Sequence, residues 1–199
     1  MSMHDRHGAK QRDRFDPAKA AVLEDPARFA YLPAEDVEAL LASPASAVAV
    51  DFGAGTGAYA RALARRRPDV RFIAWEEQPR MLDLLREKLA AEPLANVEPL
   101  LADETSLETL RGRADRVLAL NVPHELGDRA LEVLGSLLKP DGQAVFIDWD
   151  AATQRPVGPP RDHVLDADQA KDRLSRFGWT VASERRFPYH YALVCRLRR

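Results

Sequence analysis

Cysteine is almost absent from this sequence, since Cys195 stands alone among 199 residues. A single cysteine excludes a disulfide within the chain and is typical of proteins from a reducing compartment. No continuous apolar run approaches the roughly 20 residues that a membrane-spanning helix requires. The N-terminal residues also lack the apolar core of a secretory signal. We therefore expect a cytoplasmic protein without a membrane span.

Clusters of metal ligands and a surplus of basic charge are missing as well. The histidines form no His-x-x-x-His pair, and the sequence has no cysteine pair or carboxylate cluster, so no metal site is predicted. The formal net charge is −2, and two short basic runs, at residues 65–67 and 196–199, are explained by solvation of a helix end and of the tail. We expect no nucleic-acid partner.

The most informative feature that is present is a glycine-rich turn between a predicted strand and a predicted helix. The apolar run at residues 47–50 leads into Asp-Phe-Gly-Ala-Gly-Thr-Gly at residues 51–57, and an amphipathic segment follows at residues 58–67. Glycine adopts positive φ without strain and lets the backbone approach a ligand at a helix N-terminus. The pattern therefore predicts nucleotide binding. On its own it also fits the dinucleotide fingerprint of dehydrogenases, or an ordinary tight turn.

Acidic residues follow the second and third predicted strands. Glu76 comes directly after the apolar run at residues 70–75, and its carboxylate suits the two hydroxyls of a ribose. Asp103 and Glu104 follow the third strand, where an acceptor suits the exocyclic amine of adenine. These carboxylates are consistent with either class of adenine-containing cofactor.

Further polar residues follow the fourth and fifth predicted strands. Asn121, His124 and Glu125 come after the strand at residues 115–120. A helix with Leu131, Leu134 and Leu138 on its apolar face and a turn at residues 139–142 then precede a fifth strand, residues 143–148. Because ligands of open α/β sheets bind outside the carboxyl ends of the strands, we expect these polar residues to share one edge.

With these motifs in this order, the chain resembles the class I S-adenosylmethionine-dependent methyltransferases from Ala47 to its C-terminus. The motifs that carry the resemblance are Asp51-x-Gly53-x-Gly55-x-Gly57, Glu76-x-Gln-Pro-Arg-Met81-Leu, Ala102-Asp103, Asn121-Val-Pro-His-Glu-Leu and Leu138-Lys-Pro-Asp-Gly142. Three positions depart from the usual pattern: Glu76 stands for Asp, Gln78 for Ser, and Asp141-Gly142 for Gly-Gly. Within that family, the chain resembles the small ubiquinone and menaquinone biosynthesis methyltransferases.

The resemblance implies a single-domain α/β fold, Rossmann-like and doubly wound. Its seven-stranded sheet is mostly parallel, with an antiparallel last strand inserted between its neighbours. Residues 1–46 are expected to form an N-terminal helical lid, and residues 47–199 the S-adenosylmethionine-binding domain. In the lid, the Asp-Pro pairs at 16–17 and 25–26 predict two helix starts. Simple packing of Phe15, Phe29 and Tyr31 against the sheet edge is the alternative.

The resemblance also implies roles for individual residues toward S-adenosyl-L-methionine and its product S-adenosyl-L-homocysteine. Asp51 and the glycine loop would hold the methionine part, Glu76 the ribose, Met81 and Asp103 the adenine, and Asn121 would lie near the sulfonium. The complete set of expected cofactor-binding residues is Asp51, Gly53, Ala54, Gly55, Gly57, Glu76, Met81, Asp103, Glu104 and Asn121.

Residues for the chemistry of transfer are fewer. Methyl transfer from a sulfonium is an in-line displacement, so alignment supplies much of the acceleration and a general base is optional. His124 is the candidate base, with a histidine bonded to backbone as the structural alternative. The expected acceptor-binding residues are His124, Glu125, His163 and Tyr31.

Three functions from different classes stay open at this point. The favoured one is methyl transfer to a small-molecule acceptor. The second is a nicotinamide-dependent oxidoreductase, and the third a protein that binds S-adenosylmethionine without turning it over. The sequence identifies neither the acceptor nor the oligomeric state, so a homodimer is left open.

Overall fold

The computed structural model describes residues 15–198, which form a seven-stranded sheet between two layers of helices. The strands are β1 (Val48–Phe52), β2 (Arg71–Glu76), β3 (Val97–Leu101), β4 (Ala114–Leu120), β5 (Leu138–Trp149), β6 (Trp179–Arg186) and β7 (His190–Leu197). The helices are α1 (Ala27–Tyr31), α2 (Ala34–Leu41), α3 (Ala58–Arg66), α4 (Pro79–Ala91), α5 (Glu104–Leu110), α6 (Asp128–Leu137) and α7 (Ala167–Arg176). Two short 3-10 helices span Pro17–Glu24 and Arg161–His163.

The strand order is β3-β2-β1-β4-β5-β7-β6, and the pairs among β1 to β5 are parallel. Strand β7 lies antiparallel between β5 and β6. This confirms the predicted single-domain, doubly wound fold with its inserted last strand. Because β7 runs in the opposite direction, its first residue, His190, pairs with Trp149 at the carboxyl end of β5.

The central strands are buried on both faces because helices cover both sides of the sheet. Alternate residues of β5 show this, since Phe146 packs into the cluster on one face and Val145 into the cluster on the other. The carboxyl ends of β1, β2, β4 and β5 therefore open onto a single edge, where side chains meet without a covering helix layer.

The start of β5 corrects two sequence predictions. Leu138 was expected on the apolar face of a helix, but α6 ends at Leu137 and Leu138 begins the strand. The predicted turn at residues 139–142 is a bulge within β5, since Ala114 pairs with Leu138 and the next pair is Arg116 with Gln143. The carboxylate of Asp115 holds this bulge through the amine of Lys139 at 2.8 Å.

The N-terminal segment packs against the same edge of the sheet. Asp16 caps the first 3-10 helix by accepting the backbone N–H of Ala18 at 2.9 Å, and Pro17 is its first residue, as predicted. Asp25 accepts the N–H of Ala27 at 2.9 Å, so α1 begins one residue after the predicted Pro26. Residues 1–14 of the predicted lid lie outside the described residues. Within residues 15–198, no helix has both the length and the apolar character of a membrane span.

Candidate functional site

The glycine loop between β1 and α3 is built so that side chains would not fit. Gly53, Gly55 and Gly57 have φ values of 73°, 57° and 71°, in the left-handed region that glycine favours. A Cβ atom on Gly57 would lie 2.5 Å from Cδ1 of Leu85 in α4, and one on Gly53 would lie 3.0 Å from Val122. Ala54 is the half-buried residue between the first two glycines. The loop therefore passes close under α4 and the segment after β4.

Asp51 lies inside β1 rather than after it, and only 6% of its surface is exposed. The backbone N–H of Ala60, in the first turn of α3, donates to its carboxylate. Burial and, to a smaller extent, the negative charge of Glu76 raise the pKa of Asp51 from 3.8 to about 7, and the positive charge of Arg28 opposes this rise. A buried carboxyl group with this pKa gains from a cationic partner.

Glu76 is the last residue of β2 and fixes the glycine loop relative to α4. Its Oε2 accepts the N–H of Gly55 at 2.8 Å, and its Oε1 accepts the N–H of Gln78 at 2.8 Å. Burial raises its pKa even though these backbone donors lower it. Each carboxylate oxygen retains a lone pair, so the side chain is held in place and can still accept hydrogen bonds from a ligand.

The expected adenine-binding residues differ in how far they are buried. Met81 is buried in α4, with 2% of its surface exposed. Asp103 is exposed, and its Oδ1 accepts the N–H of Ser106 at 2.7 Å, so one of its oxygens caps α5. Glu104, also exposed, is the first residue of that helix. Asp103 thus has one oxygen committed to the fold.

Asn121 directly follows β4 and has an unusual backbone conformation. Its φ is 57°, a value that asparagine tolerates better than most residues. Its backbone N–H donates to the carbonyl of Ile147 at 2.8 Å. Its Oδ1 is buried and accepts no hydrogen bond from the described residues. An orphaned acceptor at the carboxyl end of β4 suits a ligand that donates.

His124 and Asp148 are hydrogen-bonded to each other at this edge. Nδ1 of His124 lies 2.8 Å from Oδ1 of Asp148, and the backbone N–H of His124 donates to Oδ2 at 2.7 Å. Asp148 is 1% exposed and also accepts the N–H of Trp149 at 2.9 Å. Nε2 of His124 lies 3.6 Å from Oε1 of Glu125. Burial raises the pKa of Glu125, and the neighbouring His124 opposes the rise.

An aromatic cluster adjoins this pair where β5 and β7 meet. The rings of Tyr31 and His190 are stacked with centroids 5.7 Å apart, and the rings of Trp149 and His190 are 4.1 Å apart. Tyr31 reaches the cluster from the N-terminal segment, and Tyr189 packs edge-on against it at 5.4 Å. His163 is exposed in the second 3-10 helix, and the structure does not bring it to this cluster.

The N-terminal segment is fastened over the glycine loop by Glu24. One oxygen of Glu24 accepts the hydroxyl of Thr56 at 2.5 Å, and the other pairs with Arg61 at 2.6 Å. At the start of the segment, Nε2 of Gln78 donates to the carbonyl of Phe15 at 3.1 Å. Among residues 15–198, no group of three or more potential ligands has the arrangement of a metal site.

Comparison with known proteins identifies the fold and its cofactor class. The methyltransferase domain family matches residues 49–142, which include the glycine loop, Glu76 and His124. A solved S-adenosylmethionine-dependent methyltransferase from Aquifex aeolicus is 26% identical, with a TM-score of 0.84 over 92% of this chain and 98% of that one. Both matches support the class I S-adenosylmethionine-dependent methyltransferase family for this chain.

Two further proteins show how far this methyltransferase resembles others. The release factor glutamine methyltransferase of Mycolicibacterium smegmatis is 39% identical over 103 residues, which are 47% of this chain and 35% of that protein. The chain therefore matches about a third of the length of that relative. The mitomycin 7-O-methyltransferase MmcR is 20% identical, with a TM-score of 0.67 over 92% of this chain and 58% of that one, which shows the fold alone.

The methyltransferase domain match and the solved relative imply S-adenosylmethionine as the cofactor, and the described residues fit it. The three glycines of the loop have positive φ, so the backbone can approach a ligand closely, and Asn121 offers an unpaired acceptor at the same edge. Glu76 is fixed at the end of β2 with lone pairs to spare. A zwitterionic nucleoside needs this mixture of close backbone, carboxylate and amide groups.

Sequence reasoning missed three residues at the edge of this methyltransferase. Asp148 was noted only as a strand end, and its bond to His124 has no local sequence signal. Glu24 and Arg28 belong to the N-terminal segment, in which the sequence indicated only aromatic residues as candidates. Arg28 is only 9% exposed, and the Asp-Pro pair beside it, which places it in the first turn of a helix, is the one signal that pointed toward it.

Proposed function

We propose that this chain transfers a methyl group from S-adenosylmethionine to a small-molecule acceptor, with His124 as the general base. The observation that carries the proposal is the 2.8 Å contact between His124 and Asp148 at the carboxyl ends of β4 and β5. When bound, the cofactor supplies a methyl group already activated on a sulfonium. The remaining task of the protein is to align the acceptor and to take up its proton.

The bonding of Asp148 defines what His124 can do. The carboxylate accepts hydrogen bonds from two backbone N–H groups and faces Nδ1, so the neutral imidazole carries its proton on Nδ1. Nε2 is then the ring nitrogen that takes up the proton of an acceptor hydroxyl or carbon acid. A base in this position typically contributes about 10²- to 10⁴-fold to the rate. Glu125, 3.6 Å from Nε2, stabilises the imidazolium that forms.

Cofactor binding is assigned to the residues that surround the glycine loop. Asp51 and the loop hold the methionine part, and Glu76 accepts the ribose hydroxyls. Met81 and Asp103 contact the adenine, with Glu104 beside them, and Asn121 faces the sulfonium end. Support comes from the burial of Asp51 and Glu76 and from the unpaired Oδ1 of Asn121.

A small molecule suits this edge better than a folded protein does. The N-terminal segment, residues 15–46, packs over the glycine loop through Glu24 and contributes Tyr31 to the aromatic cluster. We assign this segment as the lid that encloses the acceptor. The relative from M. smegmatis is named for a glutamine of release factors. The activity test must therefore distinguish a small-molecule acceptor from a protein acceptor.

The cofactor is tested first, by titrating the purified protein with S-adenosylhomocysteine and, in parallel, with NADH. We expect binding of S-adenosylhomocysteine alone. Binding of NADH alone would contradict the methyltransferase assignment and favour an oxidoreductase.

The transfer is tested by following S-adenosylhomocysteine release with a panel of phenols, alcohols and carbon acids, and with release factors as protein acceptors. We expect turnover with a small molecule, and a rate reduced about 10²- to 10⁴-fold in His124→Gln. The matched control is Glu108→Gln, which removes an exposed surface pair with Arg111. Turnover with a protein acceptor alone would contradict the small-molecule assignment, and a full rate in His124→Gln would contradict the base.

A further inference from the structure

The segment that carries His124 is a short turn between β4 and α6, which we call the His124 turn (residues 121–127). The backbone N–H groups of Glu125 and Leu126 donate to the carbonyl of Val122 at 2.8 and 3.2 Å, and Gly127 then caps α6. Residues 121–127 belong to no strand or helix. A turn of this kind depends on contacts from other elements to keep a side chain in one position.

Arg173 of α7 supplies such contacts. Its Nη1 donates to the carbonyl of Pro123 at 3.2 Å, and its Nη2 donates to the carbonyl of Leu126 at 2.5 Å. Nη2 also lies 3.3 Å from Oδ1 of Asp128, the first residue of α6. One planar guanidinium therefore spans the turn on both sides of His124, and its fixed geometry holds the two carbonyls in a defined relation.

The helix that carries Arg173 is itself firmly placed. A capping box fixes the start of α7, because Asp166 accepts the N–H of Gln169 at 2.9 Å and Gln169 accepts the N–H of Asp166 at 3.0 Å. Ala170 and Leu174, on either side of Arg173 in the helix, are buried in the hydrophobic cluster beneath α7. Only 18% of the Arg173 side chain is exposed. The guanidinium is thus anchored to the sheet through α7.

Asp148 and Arg173 hold the His124 turn from two directions. Asp148 of β5 accepts the backbone N–H of His124 at 2.7 Å and lies 2.8 Å from Nδ1 of its ring. Arg173 bonds the carbonyls one residue before and two residues after His124. The carboxylate therefore orients the ring, and the guanidinium fixes the backbone that bears it.

We propose that Arg173 is a positioning residue for methyl transfer, which keeps the His124 turn where proton uptake from the acceptor requires it. The inference rests on the proposed function, because it takes His124 as the base. Misplacement of a reacting group by about 1 Å costs on the order of 100-fold in rate, so a turn that shifts without Arg173 is slow even though His124 and Asp148 are intact. The contacts through which Arg173 acts lie on the turn and at the start of α6. Arg173 therefore affects the rate of transfer rather than the affinity for the cofactor.

The first test is a double-mutant cycle on turnover. We expect Arg173→Gln to lower kcat about 10- to 100-fold and to leave the KM for S-adenosylmethionine within about twofold. In a His124→Gln background the same substitution should cost less than about twofold, because the group that Arg173 positions is gone. An equal fold-loss in both backgrounds would overturn the proposal, and so would a wild-type kcat in Arg173→Gln.

Two further variants complete the cycle. Arg176→Gln is the matched control, since Arg176 is exposed in the same helix and its substitution removes the same charge, and we expect an unchanged kcat. A loss in Arg176→Gln as large as in Arg173→Gln would overturn the role of the contact. Arg173→Lys keeps the charge but loses the fork, so it should recover part of kcat. Thermal unfolding reports whether each variant is folded, and Arg173→Lys takes the place of Arg173→Gln in the cycle if the latter is not.

The second test needs no acceptor. Nuclear magnetic resonance follows the exchange of the Nδ1 proton of His124 with water. We expect exchange at least about 10-fold faster in Arg173→Gln than in wild type, because the loss of a charge-assisted hydrogen bond lets the turn open more often. Equal exchange rates would overturn the proposal. Wild-type protein that binds no S-adenosylhomocysteine would overturn the proposed function and with it the part of Arg173 in transfer, whereas faster exchange would still support the hold of Arg173 on the turn.

Discussion

Nδ1 of His124 lies 2.8 Å from Oδ1 of Asp148, a residue 24 positions later in the chain. The two residues follow or end neighbouring parallel strands, β4 and β5, which brings both to one edge. The carboxylate determines which ring nitrogen carries the proton, so the pair can be examined without knowledge of the acceptor.

Substitution of Asp148 by Asn should therefore change the tautomer of His124. We expect neutral His124 in the wild-type protein to be protonated on Nδ1, and Asp148→Asn to give a mixture of the two tautomers, because an amide can donate as well as accept. Nitrogen-15 chemical shifts of the ring report the tautomer directly. A wild-type ring protonated on Nε2 would contradict the proposed base.

The raised pKa of Asp51 predicts that this residue makes the ligand-free protein less stable while it contributes to ligand binding. Its pKa is raised from 3.8 to about 7 in the folded protein, so the folded state holds a proton that the unfolded state loses between these values. Stability contributed by the protonated form is therefore lost as the pH rises from about 4 to 7.

Asp51→Asn has no such loss, and without ligand we expect it to be more stable than wild type by roughly 1 to 4 kcal/mol at pH 8 and by little at pH 4. It should also bind S-adenosylhomocysteine more weakly. Chemical denaturation across this pH range measures the first effect, and calorimetry the second. A stability difference that is independent of pH would show that Asp51 is not the titrating group.

The burial of His190 predicts that the folded protein becomes less stable at acidic pH. Its side chain is fully buried in the aromatic cluster, neither ring nitrogen has a partner among the described residues, and burial lowers its pKa from 6.5 to about 3. The unfolded state therefore binds an extra proton between these values, and stability falls as the pH drops through this window.

His190→Phe removes the side chain that takes up this proton. The free energy of unfolding of the variant, minus that of wild type, should therefore increase by roughly 1 to 3 kcal/mol as the pH is lowered from 7.5 to 4. The change with pH is the readout, because the larger ring also alters packing at every pH. His163→Gln is the control, since that histidine is exposed and should leave the pH dependence as it is. An identical pH dependence in His190→Phe and wild type would contradict the buried neutral state.

Glu24 should slow the release of the cofactor. Its carboxylate holds Thr56 and Arg61, which are on the loop and helix beneath the N-terminal segment. We expect Glu24→Gln to raise the dissociation rate of S-adenosylhomocysteine about 3- to 10-fold, as the loss of one charge-assisted hydrogen bond in a partly exposed site would. Stopped-flow fluorescence measures the rate. Glu38→Gln, which breaks an exposed pair with Arg66, should leave it unchanged, and equal rates in both variants would contradict a latch at Glu24.

Local sequence patterns predicted the first five strands and the glycine loop, whereas the seven-stranded topology was implied by the family resemblance. The apolar runs and the polar residues after them located β1, β2 and β4 to within two residues, and the glycine pattern located the loop. The predicted boundary between helix and strand was wrong at Leu138, where pairing with β4 overrides the local helix propensity. A bulged strand and a helix end followed by a turn have the same amino-acid composition, so the local sequence does not distinguish them.

The site was predicted less completely than the fold. Asp148 and Arg173 take their importance from partners on other elements, and no spacing along the chain encodes those contacts. Asp103 shows the converse, since its position after β3 fits an adenine contact while its bond to Ser106 also serves as a helix cap. A short motif cannot separate these two uses.

The antiparallel direction of β7 has a practical consequence for attaching labels to this protein. His190 lies at the ligand edge, so the strand carries the chain away from it, and Leu197 pairs with Trp179 at the opposite edge. A fluorophore or affinity tag attached at Arg198 would extend from that far side. One attached at Phe15 would instead lie beside the glycine loop, because the carbonyl of Phe15 accepts a hydrogen bond from Gln78. Binding and turnover are therefore better measured with labels at the C-terminus.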